Sequence, residues 1–233
     1  AHGMATDEHG GRMMLEHATR DALLADAAEA FALSKLLGKR VIVFGSSTGG
    51  TLVTWLCAQP WAAPDIAAVI LLSPAFALCK PSRTAYALLK WVVCLLPSPM
   101  SSRVIEAAAG VTHHVNCAPH IVQAGREAAF SQVWTRTWPK RAGAHLIRLY
   151  VTVELGVTFE TIATPMLAFA CPRDDVTDFA VTERNLRKVP DSVIHRVNGC
   201  QSVHVISGKI CTPETIDDCT DKALAFLKAR GIG

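Results

Sequence analysis

The stretch Val41-Ile42-Val43-Phe44-Gly45-Ser46-Ser47-Thr48-Gly49-Gly50 constrains this chain more than any other. Four β-branched or aromatic residues read as a strand over 41–44. Glycines and serines then turn the chain, and a new apolar pattern starts at Thr51 and gives a helix over about 49–59. Gly45-Ser46-Ser47-Thr48-Gly49 has the G-x-S-x-G form, which needs a strand before it and a helix after it. Both are present. The expectation is that the two glycines let the backbone bend sharply. Ser47 then projects its hydroxyl from the turn, with the amide of Thr48 beside it at a helix N-terminus, where negative charge is stabilised.

The segments around this turn repeat its rhythm. Residues 19–37 read as a helix with Leu23, Ala27, Ala30, Ser34 and Leu37 on one face, and Gly38 closes it. Ile66 to Leu72 is a continuous apolar run, as expected of a strand covered on both faces, and Ser73-Pro74 ends it. After Pro165 the pattern returns: a strand over 166–170, a helix over 178–188, a strand over 192–197, a turn at Asn198-Gly199, and a final helix introduced by Pro213. Helices alternating with fully apolar strands predict an α/β fold with a mostly parallel sheet flanked by helices.

Between about 80 and 160 no strand alternation is evident. Helical segments read over 84–96, 101–109, 120–134 and 141–156, separated by prolines. An all-helical insertion over one edge of the sheet is the simplest account. The domain expectation is therefore a first core part over 1–79, a helical lid over 80–160 and a second core part over 161–233. The helix from Tyr86 to Leu96 either lines an apolar pocket or packs on the core. Residues 1–18 show no period and read as a loop.

Composition narrows the function classes. The 233 residues are half hydrophobic with a net charge of +3, enough for one substantial core. The basic residues are scattered, so no nucleic-acid footprint is expected. The apolar run from Ala85 to Leu96 is too short to span a membrane and carries Lys90. The eight cysteines include no C-x-x-C pair and lie mostly in apolar sequence. Buried free thiols in a reducing compartment, the cytoplasm, fit this best, with a Cys200–Cys211 or Cys211–Cys219 disulfide left open.

A serine needs a base to become a nucleophile, and the base needs an orienting carboxylate. Asp174 follows the strand at 166–170, and His204 follows the strand at 192–197. Loops after the C-terminal ends of parallel strands are where such a sheet builds its site. The order serine, acid, histidine is the one found with a G-x-S-x-G turn on this architecture. Asp175 and Asp178 are alternatives for the acid, and His195 competes with His204 as base. His113, His114 and His120 lack the acidic or thiol partners of a metal site, so no metal and no cofactor is expected.

The turn at 45–49, Ser73-Pro74, Asp174-Asp175-Val176 and His204-Val205-Ile206 together resemble the α/β-hydrolases, in particular their lidded carboxylesterase and monoacylglycerol-lipase-like group. The resemblance implies Ser47 as nucleophile, Asp174 as orienting acid, His204 as general base and the Thr48 amide as one oxyanion donor. It implies a small-molecule ester substrate with an apolar acyl group. One departure is visible. In this family further strands precede the turn, and His2-Gly3 resembles the loop just before the helix that leads to it. The fold is therefore expected to be N-terminally incomplete, without its first strands and one oxyanion donor. Two other readings stay open: a non-catalytic binding protein or inactive fragment, and a thioester, amide or C–C hydrolase using the same three residues. Oligomeric state is not legible.

Overall fold

The computed structural model describes residues 18–79 and 82–232. In chain order the elements are α1 (Arg20–Leu37), β1 (Val41–Ser46), α2 (Thr48–Cys57), β2 (Ile66–Leu72), α3 (Arg83–Leu95), α4 (Ser98–Ala109), β3 (Thr112–His114), α5 (Pro119–Gln123), α6 (Glu127–Val133), β4 (Thr137–Pro139), α7 (Gly143–Gly156), β5 (Met166–Ala170), α8 (Phe179–Leu186), β6 (Ser192–Arg196) and α9 (Ile216–Lys228). The chain divides into two compact units, one holding residues 27–79 and 152–232, the other 18–26 and 84–151. The loop expected over 1–18 lies, apart from Ala18, outside the described residues.

The first unit is built on a parallel sheet of order β1-β2-β5-β6. Its two central strands explain its stability. Side chains alternate across a strand, and β2 and β5 send both sets into apolar surroundings. Val69, Leu71, Met166 and Ala168 join Val53 and Leu56 of α2 and Leu186 of α8 in one core cluster. Ala68, Ile70, Leu167 and Phe169 join Cys219 and Phe226 of α9 in another. A continuous apolar run such as Ile66–Leu72 is thus required by two cores rather than one. Fully burying a side chain of the size of Ile70 or Phe169 stabilises by about 1.5–3 kcal/mol. Among the described residues β1 is an edge strand, and its Ile42 and Phe44 are exposed.

Helix α1 bears out the expected stripe in part. Leu23 is buried and Ala27 packs on the core, but Phe31 is buried in place of Ala30, and Ala30 and Leu37 are exposed. The decisive contact is that of Phe31 with Trp61, whose ring centroids lie 6.0 Å apart. An aromatic side chain removes far more area from water than the alanine one position earlier.

The second unit is largely helical, but the expectation of an all-helical insertion does not hold. β3 and β4 pair antiparallel, with His113 opposite Trp138. Three residues per strand are too few for a period-2 pattern to register. The single helix read over 120–134 is two, α5 and α6. The chain breaks at Gly125, whose φ of 67° suits glycine. Helix α3 presents Tyr86 and Val93 to the interior and leaves Leu88, Trp91 and Leu95 exposed. Arg148 of α7 donates to the carbonyls of Val93 and Leu96 and, at 3.0 Å, to the Ser101 hydroxyl. It thereby satisfies acceptors that the end of α3 leaves unpaired within the helix. Among the described residues, no helix is long and apolar enough to cross a membrane. Neither Cys200–Cys211 nor Cys211–Cys219 is bridged by a disulfide.

Candidate active site

Ser47 sits between β1 and α2 with φ 51° and ψ −120°, a conformation costly for a residue with a Cβ. Backbone bonds hold it there. The Ser47 amide donates to Leu72 at 2.9 Å, and its carbonyl accepts from Gly50 at 2.9 Å and Ala75 at 3.0 Å. Serine at a helix N-cap usually turns its hydroxyl onto the first amides of the helix. Here it makes no such bond. Its Oγ lies 3.0 Å from His204 Nε2.

Two glycines make the bend possible, though not the pair the motif names. A Cβ on Gly45 would stand 2.7 Å from the Gly49 carbonyl oxygen, and one on Gly50 would stand 2.7 Å from Pro74 Cβ. A Cβ on Gly49 would meet nothing within 4 Å. Close approach therefore demands glycine at 45 and 50, while Gly49 is sterically open.

Asp174 lies in the loop after β5. Its side chain is only 2% exposed and reaches His204 Nδ1 at 2.9 Å. The other contacts come from its own loop: amides of Val176 at 2.8 Å and Thr177 at 2.9 Å, and the Thr177 hydroxyl at 2.8 Å. Burial works against its charge, but the bond from His204, the imidazole's charge and the two amides outweigh burial, and the carboxyl is held below the ordinary aspartate range. Thr177 escaped the sequence reading. A threonine three residues after an aspartate, in a loop following a strand, is the signal that could have found it.

The loop carrying His204 is braced in the same local manner. Val205 N–H donates to the Ser202 hydroxyl at 3.1 Å, the Thr212 hydroxyl donates to the Val205 carbonyl, and the Thr215 hydroxyl donates to the Ile206 carbonyl at 2.5 Å. Buried Ile206 anchors it in the core. The remaining candidates fall elsewhere. Asp178 is the N-cap of α8, accepting from Ala180 N–H at 3.0 Å. Asp175 is exposed. His195 Nε2 lies 3.4 Å from Asp218, and its ring meets Phe169 edge-on at 5.6 Å. His113 packs on Trp138 at 4.7 Å. No group of three or more His, Cys, Asp or Glu gathers into a metal site among the described residues.

A parallel sheet whose strand-end loops align a serine, a histidine and an aspartate in one hydrogen-bonded line defines an α/β-hydrolase. More narrowly, the chain belongs to the hydrolase family described as "Serine aminopeptidase, S33", whose model matches residues 2–204. No curated protein matches the chain by sequence. Several solved structures share the fold. The monoacylglycerol lipase of Paleococcus ferrophilus is 17% identical with a TM-score of 0.63, covering 92% of this chain and 77% of its own. The monoglyceride lipase of Saccharomyces cerevisiae, solved with a substrate analogue, is 12% identical at a TM-score of 0.61, covering 90% and 68%. A structure from work on the metagenome-derived lipolytic enzymes LipS and LipT is 13% identical at a TM-score of 0.69, covering 97% and 80%.

Proposed function

We propose that this chain is a serine hydrolase of carboxylic esters that works through an acyl-enzyme on Ser47. The observation that carries the reading is the continuous line from Ser47 Oγ through His204 to the buried Asp174. His204 Nε2 takes the hydroxyl proton as Ser47 attacks the ester carbonyl. Asp174 holds the Nδ1–H tautomer and stabilises the imidazolium that forms. The amide of Thr48 donates to the oxyanion. His204 then protonates the leaving alcohol and deprotonates the water that frees the acid. The substrate class is an ester with an apolar acyl group, a reading supported by the lipase structures that share the fold. Residues 80–160 act as a lid between the core parts 1–79 and 161–233, and the free thiols favour a cytoplasmic setting.

Fluorophosphonate labelling followed by peptide mapping tests this reading. The label is expected on Ser47 and absent from Ser47→Ala, which should also lower p-nitrophenyl ester turnover by on the order of 10⁶. Label on another residue, or turnover retained in Ser47→Ala, would sink the assignment. Amide cleavage is the second reading, favoured by the family's description as serine aminopeptidases. Comparing aminoacyl anilides with esters of graded acyl length separates the two.

A further inference from the structure

Two buried cysteines belong to the loops that carry the site. Cys171 is the first residue after β5 and begins the loop that carries Asp174. Asp174 N–H donates to the Cys171 carbonyl at 3.0 Å. Cys200 belongs to the loop that carries His204. Strand pairing brings the two loops together at their roots, since Ala170 pairs with Arg196 and Val197 N–H donates to the Ala170 carbonyl at 2.9 Å. The chain then turns at Gly199, with φ 77°, and Cys200 joins the apolar cluster that holds Leu167 and Phe169 of β5. Its thiol lies within hydrogen-bonding reach of Cys171. Both cysteines belong to the same apolar cluster, 1% and 4% exposed. The mechanism proposed for the site uses neither.

We propose that Cys171 and Cys200 form a conditional disulfide that, when oxidised, ties the loop of Asp174 to the loop of His204. Forming the roughly 2.05 Å S–S bond asks two neighbouring loop residues to bring their thiols together in disulfide geometry. The oxidant is a small-molecule disulfide of the glutathione class. One cysteine thiolate attacks it, forms a mixed disulfide and releases one glutathione thiolate. The second cysteine thiolate attacks the protein sulfur of that mixed disulfide, forms the Cys171–Cys200 bond and releases the second. Both thiol protons end on glutathione, and the two electrons reduce its disulfide.

The surroundings set the rate. Burial, together with the neighbouring Cys171, pushes the Cys200 thiol up to about 11, so little thiolate is present at neutral pH. Low exposure means that the first exchange waits for local opening. The pair is therefore a slow staple rather than a fast sensor. It stays reduced in a reducing cytoplasm and closes during prolonged oxidative shift or secretion.

The test uses the whole chain in buffers of graded oxidised-to-reduced glutathione ratio at pH 8, followed by alkylation and non-reducing tryptic mapping. Cleavage after Arg148, Arg173, Arg196 and Lys209 places Cys171 and Cys200 alone on the peptides 149–173 and 197–209, apart from Cys211. The expected result is a cross-linked pair of these peptides, a chain lighter by about 2 Da, and a melting temperature raised by roughly 5–10 °C that dithiothreitol reverses. Cys200→Ala and Cys171→Ser should each abolish the link and the rise. Three results would overturn the proposal: no cross-link after exposed Cys94 has reacted fully, Cys200 linked to a different cysteine, or a cross-linked chain that melts no higher than the reduced one. Mapping and melting use no substrate, so their outcome is independent of whether Ser47 is a nucleophile.

Discussion

Ser47 holds a residue type that ordinarily caps a helix, at a helix N-cap, and uses it for something else. The backbone angle turns its hydroxyl away from the amides of α2 and towards His204. The strain is tolerated because Gly45 and Gly50 let the neighbouring backbone and Pro74 come close. Alanine substitution should sort the three glycines. Gly45→Ala and Gly50→Ala force contacts under 3 Å and should each cost about 1–3 kcal/mol. Gly49→Ala, at an open helical position, should be neutral or stabilising by up to about 1 kcal/mol. Urea unfolding of the three variants measures this. Asp174→Asn should keep the fold and reduce ester turnover by about 10⁴, because an amide cannot hold the histidine tautomer that the carboxylate holds. A loss under tenfold would remove Asp174 from its proposed role. The motif made Ser47 legible in the sequence. Spacing alone left the acid open among Asp174, Asp175 and Asp178, because nothing local says which carboxylate a histidine thirty residues later will meet; the resemblance pointed to Asp174.

Among the secondary elements, the strands were the most legible and the second unit the least. Ile66–Leu72 and Met166–Ala170 announce themselves because both of their faces are buried, leaving no polar residue to interrupt the run. β3 and β4 are set by a tertiary pairing of three residues a side, which leaves no periodic trace. The face of α1 was read correctly at Leu23 and Ala27 and missed at Phe31: helical spacing alone gave Phe31 no precedence over Ala30, and a contact with Trp61 decided it. Two element ends carry predictions. Removing the N-cap of α8 with Asp178→Ala should cost about 1 kcal/mol in urea unfolding. Arg148→Met leaves the Val93 and Leu96 carbonyls without their donor and should cost about 2–3 kcal/mol. Its first visible sign should be faster amide exchange at the end of α3 and the start of α4. Unchanged exchange there would mean the guanidinium is not what holds those helices.

For the whole molecule, pH supplies a separate handle on stability. Burial, reinforced by nearby Arg148, lowers the His145 imidazole below its ordinary value, while Asp21 partly opposes this. The unfolded chain therefore takes up this proton first, and stability declines as pH falls below about 6.5. Asp174, and Asp191 beside Arg230, are carboxyls held below their ordinary values. Their contribution is complete above about pH 4 and is lost as pH falls through the depressed values. Chemical denaturation from pH 8 to 3 should show two descending limbs, and His145→Gln should flatten the upper one alone. The α/β class was legible from the alternation of helices with apolar strands, whereas the pairing order β1-β2-β5-β6 was not, since register and neighbours are properties of the folded sheet. The glycine geometry also bears on how distant relatives of this chain are to be found. A search string that insists on glycine two residues after the serine rejects sequences this backbone would accept. One that ignores the position three residues after it admits sequences the backbone would refuse. For this turn the discriminating string is G-x-S-x-x-G, and proline at the position of Pro74 is its long-range companion.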